Sequence, residues 1–154
     1  MEIVTLRPIT LSDTNLIVRW RNSDAVRLNM YDQKKLTAEQ HQDYFHSQVE
    51  SGNISQYIIC AGSVPIGTAF YKNTRISETE IGLFIGEEKY RGKGIGTQAL
   101  NRILLIIQKK NSYKTVFLKV KRENIHAINL YTKVGFNYKN KGDTSLFLDM
   151  IKEI

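Results

Sequence analysis

Residues 3–7 alternate apolar and polar side chains, the period of a half-buried strand, and Pro8 removes the N–H that would continue it. The period then lengthens. Leu16, Ile17 and Trp20 make a helical stripe that runs to about Asn22, with Thr10, Ser12 and Asp13 as N-cap candidates. Residues 37–40 have the spacing of a capping box, and Phe45 and Val49 carry the apolar face of the helix it opens, closed at Gly52-Asn53. Three apolar runs follow, at 57–61, 66–71 and 79–85, separated by Gly62-Ser63 and by residues 72–78. Connections this short join antiparallel neighbours. After a glycine-rich break, Ala99, Leu100, Ile103, Leu104 and Ile107 fall on one broad face of a helix over 97–110. Residues 115–120 read as a strand, 125–134 as a short helix stopped by Gly135, and 136–139 and 145–151 as closing strands. The order β-α-α-β-β-β-α-β-α-β-β predicts an α/β (α+β) fold: a mixed sheet with helices on its faces. With no repeat or linker, the 154 residues are expected to form one domain.

Composition adds limits. Cys60 is the one cysteine, so no intrachain disulfide can form, and its apolar run reads as buried. The first five residues carry no basic or apolar export signal, and the longest aliphatic run, 103–107, is far short of the ~20 residues of a membrane helix. A cytoplasmic protein without a membrane partner is expected. The net charge of +7 is uneven: residues 1–77 hold 8 Lys+Arg and 7 Asp+Glu, residues 78–154 hold 14 and 8. The basic excess lies in the half with the glycine loop. It suits a polyanionic ligand, and equally a nucleic acid or a solvated basic face.

The loop runs Arg91-Gly92-Lys93-Gly94-Ile95-Gly96-Thr97, between a strand and a helix. Glycines let backbone N–H groups approach an anion, and the helix start adds unpaired N–H groups and a positive dipole end. The spacing is not G-x-x-x-x-G-K-[ST], and G-K-G-I-G-T places the third glycine one position early for G-x-G-x-x-G. Arg91, Gly94 and Gly96 instead match [QR]-x-x-G-x-[GA], and here the chain resembles the GNAT acetyltransferase family, from about Val4 to Ile151. The proline common in the lead-in is missing from Glu88-Lys89-Tyr90-Arg91. Residues 124–136 also resemble the family's N-x-x-A-x-x-[LF]-Y-x-x-x-G-F, through Asn124, Ala127, Leu130, Tyr131, Gly135 and Phe136.

The resemblance implies a mixed, mostly antiparallel sheet whose strand through Glu80 and Ile85 splays from the strand at 115–120, flanked by about four helices. It implies that Arg91, Gly92, Lys93, Gly94, Ile95, Gly96 and Thr97 cradle the pyrophosphate of acetyl-CoA through backbone N–H groups. Backbone groups near Phe84 and Ile85 would meet the pantetheine or the carbonyl oxygen. Asn124 would bind the pantetheine arm and Tyr131 would protonate the leaving thiolate. The two lie seven residues apart on one helix face, roughly 10 Å along it. Asn124 also reads as an N-cap and Tyr131 as a core aromatic. Glu80 is the candidate general base, or an exposed strand-end carboxylate.

For the acceptor, Trp20-Arg21-Asn22 resembles bacterial family members that acetylate amino groups on nucleotide-activated sugars; ribosomal-protein acetyltransferases share similar sequences there. An aromatic ring with guanidinium and amide donors suits a base, a sugar or a diphosphate, while a core tryptophan beside solvated arginines fits the same letters. A small-molecule amine is therefore the expected acceptor, with a protein N-terminus as alternative. A module that senses coenzyme A without turnover is the non-enzymatic alternative. His41 and His46 are five apart, unlike a helical metal pair, and no metal is expected. Tyr113, Phe117 and Tyr138 fall in expected strands and read as core, so no nucleic-acid partner is expected. Monomer and homodimer both remain open.

Overall fold

The computed structural model describes residues 2–139 and 145–154. Among these, seven strands form one sheet. They are β1 (Val4–Pro8), β2 (Ile54–Ala61), β3 (Val64–Lys72), β4 (Glu78–Ile85), β5 (Thr115–Lys121), β6 (Asn137–Tyr138) and β7 (Phe147–Glu153), in the order β1-β2-β3-β4-β5-β7-β6. Every pairing is antiparallel except β4 with β5. That parallel ladder joins Glu78, Thr79 and Glu80 to Thr115, Val116 and Phe117 and then stops, although both strands continue. Beyond Glu80 the two strands part, and the sheet opens between them.

Five helices flank the sheet: α1 (Thr14–Asn22), α2 (Asp24–Arg27), α3 (Ala38–Tyr44), α4 (Ile95–Lys110) and α5 (Ile125–Val134). The sequence pattern implied about four. The additional one, α2, is a single turn, too short to show a period. The Thr37–Gln40 capping box is present, with Gln40 N 3.1 Å from Thr37 Oγ1 and Thr37 N 3.0 Å from Gln40 Oε1. The helix it opens is α-helical only to Tyr44; Phe45–Val49 is a π-helical turn. The last strand sits two residues later than its pattern suggested, and Tyr138, read as core, is 41% exposed.

Two apolar cores explain the unbroken run in β2. Ile59 and Ala61 face the larger core, built with Leu100, Ile103 and Ile107 of α4. Ile58 and Cys60 face the smaller one, under Ile17 and Trp20 of α1. Both faces of the strand are covered, so its side chains need not alternate in polarity. Asp13 fixes the entry to α1: its carboxylate takes two 2.9 Å hydrogen bonds from the Arg7 guanidinium and a third from Thr10 N. Those bonds, led by Arg7, hold the acid below the usual carboxylate range.

Candidate functional site: a cleft from the glycine loop to the space beneath α1–α3

Gly92 and Gly94 take φ of +73° and +78°, which places both in the left-handed region. The chain can thereby turn from Arg91 straight into α4. The first N–H that α4 satisfies itself is that of Gln98, on Gly94 O at 3.2 Å. The N–H groups of Ile95, Gly96 and Thr97 precede it and have no intrahelical acceptor. Arg91 is spent locally: its Nε and Nη2 donate to the carbonyls of Ile85 (2.9 Å) and Gly86 (3.2 Å), pinning the loop to the end of β4. The loop is therefore a backbone anion nest at a helix start.

From this nest a cleft of about 860 Å³ runs through the opening between β4 and β5 to the space beneath α1–α3. Of the residues expected at a cofactor, Phe84, Ile85, Arg91, Gly92, Gly94, Gly96, Thr97 and Asn124 line it. Lys93 and Ile95 do not. Lys93 is exposed outside the cleft, and the Ile95 side chain is 8% exposed in the main core, so only its backbone N–H serves the loop.

Asn124 and Tyr131 line the same cleft from α5. Asn124 caps the helix, with Oδ1 3.2 Å from Ala127 N, which leaves its amide NH2 for a ligand. Tyr131 is 6% exposed and packs edge-on against Phe136, ring centres 5.7 Å apart. Burial pushes its phenol up to about 12, so the proton stays on at neutral pH. Along β4, Thr79 and Ile81 turn into the core, while Glu80, Gly82 and Phe84 fall on the opposite face. Glu80 borders the cleft with Lys72 Nζ 3.4 Å from its Oε1, so the ammonium competes for the carboxylate.

The Trp20-Arg21-Asn22 run divides three ways. Trp20 is 1% exposed and outside the cleft, which corrects the expectation of a stacking surface. Its ring stands edge-on to Phe84 at 6.3 Å and covers Gly86, where a Cβ would lie 2.2 Å from Trp20 Cγ. Its indole N–H donates to Glu87 Oε2 at 2.5 Å, and Arg19 reaches the same oxygen at 2.6 Å. These hydrogen bonds hold Glu87 below the ordinary carboxylate range, Trp20 foremost. Asn22 also faces away, its amide bonded in both directions to the backbone of Leu36 at 2.7 and 2.8 Å. Arg21 alone of the three lines the cleft.

Sequence reasoning missed the polar groups that line the cleft with Arg21. Tyr44 O–H donates to Gln56 Oε1 (2.6 Å), Gln56 Nε2 to Thr68 Oγ1 (2.9 Å), and the Thr68 hydroxyl to Tyr57 O (2.8 Å). His41, 2% exposed, joins them on the cleft wall. The one signal in the sequence is a polar residue, Gln56, beside an apolar run. Among the described residues no group of three metal-ligating side chains is present, and no helix is long and apolar enough to cross a membrane.

Residues 4–137 match the model of the acetyltransferase (GNAT) domain family. An uncharacterised protein of Methanocaldococcus jannaschii is 27% identical over 143 residues, 90% of this chain and 29% of that protein. The spermine/spermidine N(1)-acetyltransferase of Bacillus subtilis is 32% identical over 71 residues, 46% of this chain and 47% of the enzyme. The chain thus spans less than half the length of either relative. The crystal structure of spermidine N-acetyltransferase from Vibrio cholerae, with CoA and spermine, superposes with a TM-score of 0.87 over 97% of this chain and 95% of that one, at 17% identity. A nest at the start of α4, a sheet that parts beside it and a domain match over nearly all the chain agree: this protein belongs to the GNAT acetyltransferase family.

Proposed function

We propose that the protein transfers the acetyl group of acetyl-CoA to a primary amine of a small molecule. The observation that carries this reading is the single cleft that joins the N–H nest of α4 to the space beneath α1–α3. The two ends match the two substrates: an anion nest for the pyrophosphate, and a chamber walled by side chains for the acceptor.

The residues divide the work. The N–H groups at the start of α4 hold the pyrophosphate, and Asn124 offers an amide to the pantetheine arm. The backbone of β4 beyond Glu80, released from β5, supplies donors for the pantetheine and for the carbonyl oxygen as charge develops on it. The neutral amine attacks the thioester carbon, the C–S bond breaks, and Tyr131 gives its proton to the departing sulfur. The ammonium proton leaves to water or to Glu80. Both charges on Glu80 and Lys72 lie beside the cleft, so proton removal there competes with their ion pair.

The acceptor we favour is an amino group on a nucleotide-linked sugar. The resemblance around Trp20-Arg21-Asn22 supports it, now resting on Arg21 alone, because the other two side chains face away. The spermidine and aminoglycoside acetyltransferases with this fold make polyamines and aminoglycosides the comparison set. Thiol release from acetyl-CoA, followed across nucleotide amino sugars, aminoglycosides, polyamines, amino acids and N-terminal peptides, tests the reading. Turnover with a small amine supports it. Turnover confined to peptides moves the acceptor to protein N-termini, and acetyl-CoA binding without any turnover leaves the sensor reading in its place.

A further inference from the structure

The chamber beneath α1–α3 holds a cation that no described residue pairs. Arg7, Arg19, Arg27 and Arg75 each lie within 3.1 Å of a carboxylate oxygen. Arg21 forms no hydrogen bond or ion pair among the described residues, and its Nε is buried without a partner. Asp32 is near enough to favour the charge electrostatically but forms no ion pair with it. A half-buried guanidinium that has lost water without gaining a carboxylate is costly to the fold alone.

The surroundings make that charge available to a ligand. The Tyr44–Gln56–Thr68 chain is satisfied within itself and carries no charge; burial pushes the Tyr44 phenol up to about 12. His41 has its Nε2 buried without a partner. Burial first, then the positive Arg21, lowers its pKa, so the ring stays neutral and adds no second cation. Around the whole cleft, six lysine and arginine side chains stand with two carboxylates, Asp32 and Glu80; Lys72 pairs with Glu80, Lys119 with Asp149 and Lys121 with Glu123, which leaves Arg21, Arg91 and Lys133 against Asp32. A polyamine would meet repulsion there; an amine that also bears an oxyanion would not.

We propose that Arg21, set against the neutral wall of His41, Tyr44 and Gln56, is a subsite for an oxyanion, a phosphate or a carboxylate, carried by the acceptor amine. The proposal rests on the acetyl-transfer reading and adds the acceptor's chemical class. A charge-assisted guanidinium contact of this kind is worth roughly 10- to 100-fold in affinity.

The test uses matched amines with acetyl-CoA: glucosamine 6-phosphate against glucosamine, and β-alanine against propylamine, with spermidine as the polycation. The wild type is expected to favour the anionic member of at least one pair by roughly 10-fold or more in kcat/KM, mainly through KM. The pair that shows the preference tells phosphate from carboxylate. Arg21→Gln is expected to bring that ratio close to one, and Arg21→Lys to keep part of it, with acetyl-CoA affinity as the folding control. An uncharged amine or spermidine used as well as the anionic amines, or a ratio unchanged in Arg21→Gln, overturns the subsite. If no amine turns over, the acetyl-transfer reading fails separately. The subsite is then judged by calorimetric titration of the same pairs into the CoA-bound protein, where equal binding of both members overturns it. Should Arg21→Gln fail to fold, the wild-type ratio and Arg21→Lys decide.

Discussion

Glu87→Ala removes the acceptor shared by Trp20 and Arg19, and its cost can be worked from the geometry. The indole N–H lies on a ring only 1% exposed and meets Glu87 Oε2 at 2.5 Å. Loss of that oxygen leaves a buried donor unpaired, at about 1–3 kcal/mol. Arg19 is 62% exposed, so its ion pair adds at most about 1 kcal/mol. The expected loss is about 1–4 kcal/mol, or roughly 2–16 °C in Tm for a domain of this size. Glu87→Gln keeps an acceptor for the indole and should recover most of it. Trp20 is the chain's one tryptophan, so its fluorescence reports the melt directly. The pH dependence has a definite sign. Glu87 is depressed in the folded state, so its contribution is present above the unfolded carboxylate pKa and fades as pH falls through the lower, folded one. Because Gly86 and Glu87 lead from β4 into the glycine loop, acetyl-CoA KM should also rise in the alanine variant. A Glu87→Ala protein that melts within 1 °C of wild type and binds acetyl-CoA normally would refute the reasoning.

Three further outcomes are expected. Tyr131→Phe should lower kcat by about 10²-fold or more while acetyl-CoA affinity holds; with the wild-type phenol at about 12, loss of the acid should not appear in the kcat profile until strongly alkaline pH. Gly94→Val forces a β-branched residue to φ +78° at the start of α4 and should abolish acetyl-CoA binding, read by calorimetry, with far-UV circular dichroism retained. Glu80→Gln should slow the reaction at neutral pH, with recovery as pH rises and free amine accumulates; a wild-type rate would confine Glu80 to its ion pair with Lys72.

The shape of the glycine loop, where we propose that acetyl-CoA binds, was legible in the sequence because it is local and sits in the backbone. Gly92 and Gly94 are needed for their φ values, and the N–H groups they release are counted from the helix start alone. The antiparallel meander β2-β3-β4 was legible for a similar reason, since short turns leave neighbours no other arrangement; the place of β1 beside β2 and of β7 between β5 and β6 rests on long-range pairing that no local pattern carries. Trp20 was not legible either. Whether a tryptophan at the end of an amphipathic helix faces inward depends on what waits beneath it. Here that is Gly86 and a carboxylate 67 residues away, which no periodicity can reveal. The π-turn at Phe45–Val49, whose Phe45 and Val49 pack against the smaller core with Ile58 and Cys60, likewise has no period in the sequence to announce it.

The two ends of the cleft are built from different materials, and this bears on how the protein could change its substrate. The glycine-loop end depends on φ angles, a helix start and the parting of two strands, so most substitutions there damage the nest itself. The proposed acceptor end is drawn from α1, α3, β2 and β3, through Arg21, His41 and Tyr44, Gln56, and Thr68. Three of these belong to elements whose backbones are anchored elsewhere, α1 by Asp13 and the strands by their ladders. Exchanging Arg21 therefore alters what the chamber attracts without moving the glycine loop. Glu87 is the point where the separation fails, because α1 reaches across to the loop through Trp20. A substitution at Glu87 should disturb acetyl-CoA first, and one at Arg21 the acceptor first, although the two contacts start from neighbouring residues of one helix.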